Sequence, residues 1–318
     1  MKKSIIAMAV AGALAVPAIA SADATLYGHV IVDVSKEKNE KLNVGGNANS
    51  QSRVGLRGTA DTGIDGVSGI YNVEFGVGMD DGDQGFTTRL ANAGLTGGFG
   101  TVLGGTLWAP HYSWATGTTD VMLSGIASTV HSTDSVLRVS NTLAYISPDL
   151  NGFQFAAAFG ADSDNTDKNA DYYHVAAKYS AHGFHGALSY VDFESDQAFS
   201  IAKDVTALGL SYETGPFFIG ATYSHTRLDG VANYKPWDIA ATYAVTDATA
   251  LKASYADFRN GAKGYGVEVQ HDLTSMVNAY VGYAHANSDL REANAAARAI
   301  DESFGGNSVF STGLRVRF

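Results

Sequence analysis

From residue 23 onwards no stretch of the chain approaches the roughly eighteen consecutive apolar residues that a membrane-crossing helix needs. Apolar residues recur instead at every second position, in one segment after another. In FQFAAAFG, Phe153, Phe155, Ala157 and Phe159 fall on one side of an extended chain, with Gln154, Ala156 and Ala158 on the other. In YHVAAKYS, Tyr173, Val175, Ala177 and Tyr179 oppose His174, Ala176, Lys178 and Ser180. YGVEVQHD sets Tyr265, Val267 and Val269 against Gly266, Glu268 and Gln270. The final residues, STGLRVRF, continue the pattern, with Leu314, Val316 and Phe318 opposite Gly313, Arg315 and Arg317. The polar sides are mixed and often small, as expected of a face that meets water. A soluble sandwich of this size would turn its apolar side into a core. The other solution is a barrel closed in lipid, which spans the bilayer with every backbone group paired.

About sixteen such strands are predicted, near residues 24–35, 48–60, 66–79, 86–97, 99–107, 135–146, 152–161, 170–180, 183–193, 203–213, 216–227, 234–245, 248–257, 263–272, 276–287 and 308–318. Their connections alternate in kind. SPDLNG, SAHG, ETGP and VTDA are turn chemistry. KEKNEKLNVGGN, residues 108–134, DSDNTDKN and residues 288–307 are long. Short turns on one rim and long loops on the other describe an all-β transmembrane antiparallel barrel of the outer-membrane type. Tyr145 and Phe153, Tyr179 and Phe184, and Tyr212 and Phe217 flank successive short turns, where an interfacial aromatic ring is expected.

The beginning of the chain sets the compartment. Lys2 and Lys3 precede an apolar run from Ile5 to Val16, and Ala20-Ser21-Ala22 has the small-x-small form of a cleavage site. Residues 1–22 are expected to be a secretory signal and 23–318 the barrel, with cleavage after Ala20 as the alternative. There is no cysteine, so neither a disulfide framework nor a thiolate metal site is available. Beyond residue 22 stand nineteen basic and thirty-two acidic side chains, a balance of −13 that argues against nucleic acid as a partner. Thirty-six glycines, five prolines and thirty-one tyrosines and phenylalanines suit long strands with tight turns.

At sixteen strands the lumen is too wide to be filled by wall side chains. Function then depends on what narrows it. The connection from Trp108 to Asp134 is long and rich in Gly, Ser and Thr, and is expected to fold inwards as a constriction. The acids of Asp162 to Asp171 lack EF-hand spacing, and His182 and His185 fall on opposite faces of a strand, so no metal or other cofactor is expected. No G-x-S-x-G is present and the nine histidines are scattered, so the chain is not expected to be an enzyme.

LYGHVIVDV, SRVGLRGTADTGIDGVSGIYNVEFGV, TRLANAGLTGGFGTVLGGTL and the terminal Phe318 resemble the general diffusion porins of Gram-negative outer membranes across essentially the whole chain after residue 22. The segments R-x-G-[LF]-[RK]-G and R-L-x-x-x-G-L are the most specific. The resemblance implies a homotrimer in the lipid bilayer of the outer membrane, passing small hydrophilic solutes and ions, with an inward third loop whose acids face an arginine ladder. It also implies that Phe318 is read by the outer-membrane assembly machinery. Carried over by motif, the ladder is Arg53, Arg89 and Arg138, with Arg57 as a further candidate and Asp120 as the loop acid. Alternation agrees for Arg53 and Arg57, and groups Arg89 with Ala91 and Ala93, and Arg138 with Ser140 and Thr142. Where the resemblance leads one to expect a glutamate, this chain has Ser124, which leaves three arginines against one acid and a neutral to mildly anion-preferring pore. Asp134 is a candidate for a further acid. His29 stands where such porins often have lysine, which weakens the positive wall near neutral pH. A sugar-selective channel remains the alternative, since Trp108, Tyr112 and Trp114 offer aromatic surface in the loop.

Overall fold

The computed structural model describes residues 23–38, 41–46, 51–79, 85–124, 136–161, 170–194, 202–228, 233–258, 261–290 and 308–318. Among the described residues the expected alternation becomes seventeen strands. The first six are β1 (Asp23–Glu37), β2 (Leu42–Gly45), β3 (Arg53–Asp61), β4 (Val67–Val77), β5 (Phe86–Gly97) and β6 (Gly100–Trp108). They continue with β7 (Arg138–Ile146), β8 (Phe153–Gly160), β9 (Tyr172–Ala181), β10 (Phe184–Phe193), β11 (Ala202–Thr214) and β12 (Phe217–Leu228). The last are β13 (Trp237–Thr246), β14 (Thr249–Asp257), β15 (Lys263–Asp272), β16 (Val277–Ala286) and β17 (Val309–Arg317).

Each strand from β3 onwards pairs antiparallel with the next, and β1 closes the ring. One edge of β1 pairs with β17 from His29↔Arg317 to Glu37↔Val309. Its other edge takes β3 along Asp23–His29 and β2 along Asp33–Lys36. β2 and β3 therefore form one interrupted stave, and the barrel has sixteen. β2 lies inside a segment expected to be loop; LNVG is four residues long and gains its partners only from the upper end of β1.

The two faces of the wall are the reverse of a soluble protein's. Phe153 and Phe155 are each 50% exposed, whereas Ala156, the next residue along the strand, is 6% exposed. The exposed apolar face is continuous through Val175, Leu188, Leu210, Ile219, Val267, Val281 and Leu314, a surface suited to acyl chains. Aromatic pairs mark the short-turn rim, with Phe153 against Tyr179 at 4.4 Å and Phe217 against Tyr243 at 4.8 Å between ring centroids. His182 and Gly183 both have positive φ, 52° and 79°, which makes the β9–β10 connection the two-residue turn whose twist matches paired strands. At the seam, Gly28 and Phe318 exchange backbone hydrogen bonds of 3.0 and 3.1 Å. A Cβ on Gly28 would meet the Phe318 ring at 2.7 Å, so only glycine leaves room for the terminal aromatic there.

Candidate functional site

The chain leaves β6 at Ala109-Pro110 and turns inwards rather than outwards. Residues 111–115 make a single π turn and 116–119 a 3₁₀ turn, an irregular pairing of turns that often accompanies functional positions. This turn seats Trp114 and Ala115 on Ala156, Ala176, Ala187 and Ala207, the small inward residues of β8 to β11. Two glycines open the wall to the loop backbone: a Cβ on Gly209 would stand 2.3 Å from the Ala115 carbonyl oxygen, and one on Gly220 2.9 Å from that of Thr118. The expected inward loop is thus built on a floor of alanine and glycine.

Polar contacts fasten it along its length. At its root, Ser189 Oγ lies 2.9 Å from His111 Nδ1 and 3.1 Å from His174 Nε2. His185 Nε2 is 2.7 Å from the Trp114 carbonyl oxygen, and Thr119 donates to Asp238 at 2.6 Å. At the tip, Glu268 Oε2 accepts from the backbone N–H of Leu123 at 2.9 Å and of Ser124 at 2.6 Å. Lys252 donates to the Val121 carbonyl at 2.6 Å and stands 3.4 Å from Glu268 Oε1. Ser124 is buried, and a Cβ on Gly282 would stand 2.2 Å from its Oγ. The position at which an acid was expected therefore faces the wall, and a wall carboxylate takes its backbone.

Opposite the loop stand the arginines. Arg89 Nε donates to Glu74 Oε1 at 2.7 Å, and Arg53 Nη1 lies 3.7 Å from the same oxygen. Tyr27 donates to Glu74 at 3.0 Å, and Arg89 Nη1 to Gln51 at 3.1 Å. The Arg138 guanidinium lies 5.0 Å from the centroid of Trp108, and that of Arg89 5.8 Å from it, distances at which ring and cation attract. Trp108 stacks on Tyr112 at 5.1 Å, and Tyr112 donates to Asp120 at 2.6 Å. Burial, reinforced by the Asp120 carboxylate, pushes the Tyr112 hydroxyl well above the usual phenol range despite Arg53 and Arg138 nearby, so it remains a donor. Arg53, Arg89, Arg138 and Asp120 are thereby brought together through Glu74, Trp108 and Tyr112. Arg57 stands apart, four positions nearer the short-turn rim on β3, with its guanidinium 4.9 Å from the Tyr27 ring.

Two parities differ from the expectation. The β4–β5 register shifts between Glu74 and Phe75, so Arg89 and Leu90 are both buried and the alternation with Ala91 and Ala93 breaks at that bulge. On β7, Asn141 has φ 51° beside a second shift against β6, which separates the parity of Arg138 from that of Thr142. Each irregularity lies next to an arginine of the site. Trp114 is 8% exposed beneath the ammonium of Lys178, 4.6 Å from its ring, so Trp108, Tyr112 and Trp114 do not form an open aromatic track. Asp134 lies outside the described residues.

Three groups escaped the sequence reading as site residues. Glu74 shares an inward parity with Asn72 on β4 and could have been found by it. Glu268 lies on the polar face of its strand, but its partners are 144 and 145 residues away. Arg315 extends the basic wall: its Nε and Nη2 donate to Asn278 at 3.1 and 3.0 Å, and it interacts electrostatically with Arg53 and Arg317. His29 stands between Arg53 and Arg317 in register on its two neighbouring strands.

The comparisons with known proteins agree with this geometry. Residues 7–290 match the family described as Gram-negative porin. The major outer membrane protein P.IB of Neisseria gonorrhoeae is 32% identical over 203 residues, covering 58% of this chain and 55% of its own length. An anion-selective porin from Comamonas acidovorans superposes with a TM-score of 0.71 at 19% identity, over 94% of this chain and all of that one. The trimer form of OmpT from Vibrio cholerae gives a TM-score of 0.70 at 16% identity, over 94% and 100% of the two chains.

Proposed function

The chain belongs to the Gram-negative porin family, and on that premise we propose that it is an outer-membrane channel for passive diffusion of small hydrophilic solutes and ions. The observation that carries this reading is the juxtaposition of an inward loop, clamped to β9–β15, with Arg53, Arg89 and Arg138 on the opposite wall. Three guanidinium groups face two carboxylates, Glu74 and Asp120, which leaves the throat with a surplus positive charge and a mild preference for anions. A field directed from a basic wall to an acidic loop orients dipolar solutes and hinders apolar ones. The channel works without catalysis, its selectivity coming from pore width and wall charge.

Residues 1–22 direct export and the mature chain assembles as a homotrimer, a reading that the trimer form of a protein of the same fold supports. Phe318, seated on Gly28 at the seam, is the feature that the assembly machinery reads. Deleting Phe318 is expected to lower the inserted fraction severalfold while secretion continues; an undiminished inserted fraction in purified outer membranes would reject that role.

General diffusion is tested by swelling of liposomes containing the protein. Rates are expected to fall smoothly with solute size and to be equal for stereoisomeric sugars. Saturation by a single sugar at low concentration would identify a substrate-specific channel instead.

A further inference from the structure

The seat of the loop tip continues into a second group of cations. Leu123 packs on Ile31 of β1 and Tyr280 of β16. One inward position nearer the short-turn rim than Tyr280, the register places Asn278 beside Arg315 of β17, and Arg315 beside Ile31. Arg317 follows on the same face of β17, in a row with His29 of β1 and Arg53 of β3. Both arginines alternate with Leu314 and Val316, which are exposed on the outer face, so their side chains belong to the lumen.

Arg315 is aimed rather than neutralised. Its Nε and Nη2 both donate to one neutral oxygen, Asn278 Oδ1, at 3.1 and 3.0 Å. Asn278 is 1% exposed, and its amide donates in turn to Asp272. Gln270 donates to Asp272 at 3.1 Å and accepts from Lys252 at 2.7 Å, so hydrogen bonds tie the arginine to the lysine that holds the Val121 carbonyl. Such a chain fixes the guanidinium and leaves its Nη1 donors unspent among the described residues. Among the same residues neither Arg315 nor Arg317 forms an ion pair.

The charges around the tip do not balance. Arg317 and Arg53 act on Arg315 electrostatically, as do Asp272 and Glu268. Glu268 is shared with Lys252, and Glu74 with Arg53 and Arg89. Lys252, Arg53, Arg89, Arg315 and Arg317 thus stand against Glu74, Glu268 and Asp272, a surplus of two positive charges. Arg138 and Asp120, linked through Trp108 and Tyr112, offset each other. Repulsion among like charges beside an apolar loop tip is a cost that a bound counter-ion removes.

We propose that Arg315 and Arg317, with Arg53 across His29, form a station for small doubly charged oxyanions beneath the loop tip. The proposal rests on the porin reading above and adds a class of solute to it. Arg53 and Arg317 are two strand spacings apart, about 10 Å between Cα atoms, so their long side chains can meet one small ion between them. Guanidinium groups bind oxyanions through paired N–H···O bonds, a match that chloride cannot make. Asn278 is the positioning residue, because it turns the Arg315 fork without cancelling its charge. An ion held there leaves more slowly than chloride and delays the chloride that follows.

The test is single-channel recording of the purified full chain in potassium chloride, with potassium sulfate added to both sides. Wild type is expected to lose chloride current saturably with sulfate, and not with nitrate, an oxyanion of single charge. Arg315→Gln and Arg317→Gln should each raise the sulfate concentration for half-inhibition about tenfold, the loss of one charge-assisted contact. Arg57→Gln removes the same charge from the inner wall nearer the rim. It should leave that concentration nearly unchanged, because salt screens a charge that does not touch the ion. Arg317→Gln alters an exposed side chain and serves if Arg315→Gln does not fold. Sulfate without effect on wild type, nitrate as effective as sulfate, or equal shifts in all three variants would each overturn the station. Half-inhibition unmoved in Arg315→Gln and Arg317→Gln would overturn it too, by placing the ion among the throat arginines. Folded wild-type protein that passes no chloride current would instead overturn the porin reading beneath it.

Discussion

Replacing Glu74 by glutamine is expected to raise the anion-to-cation permeability ratio by about fivefold while leaving the barrel intact. Glu74 is the wall acid on which Arg53 and Arg89 converge. Glutamine retains a carbonyl oxygen for the Arg89 N–H at 2.7 Å, so geometry is kept while one negative charge leaves the throat. One charge acting at about 4 Å through water is worth about 1 kcal/mol, which corresponds to that fivefold change. The ratio is read from the reversal potential under a potassium chloride gradient. It should shrink as salt rises, because ions screen the exposed part of the field. An unchanged reversal potential would place Glu74 outside the ion path.

Removing Glu268 acts on position rather than on charge. Glu268→Ala withdraws the acceptor of two loop amides and the counter-ion of a largely buried Lys252. Breaking a buried pair by deleting one partner costs about 3–5 kcal/mol. Most of that cost is expected at the loop tip, because Trp114, Thr119 and His111 still hold the rest. Recordings should show a noisier open level with added substates. Glu268→Gln, whose carbonyl can still accept from the Leu123 and Ser124 amides, should restore much of the quiet. Equal noise in wild type and Glu268→Ala would show that the tip does not depend on this carboxylate.

Much of the barrel was legible because a wall between lipid and water imposes a period of two on each strand. Phe153 to Gly160 and Lys263 to Asp272 were placed within a residue or two of their observed limits. Alternation failed where the backbone itself departs from regularity. At Arg89 a bulge carries Leu90 inwards as well, and near Arg138 the left-handed Asn141 resets the parity. Nothing in the local residue order announces either device. β2 was missed because four residues inside a charged run carry little periodic signal.

Of the candidate site, short motifs led to Arg53 and Asp120, which the fold brings into one cluster, whereas partners distant in sequence stayed opaque. Ser124 reads as a missing acid along the chain, yet it is folded onto Gly282 with Glu268 at its amide. The charge balance of the throat therefore depends on Glu74, 46 residues before Asp120 in the chain, and not on the loop alone.

The central claim is a water-filled pore whose throat carries a small surplus of positive charge. It is tested most directly by recording from purified, folded protein in a planar bilayer under a salt gradient. Conductance steps grouped in threes, with a reversal potential displaced modestly towards that of chloride, are the expected result. A reversal potential displaced clearly towards the cation would contradict the charge balance, and folded protein without conductance would contradict the pore itself.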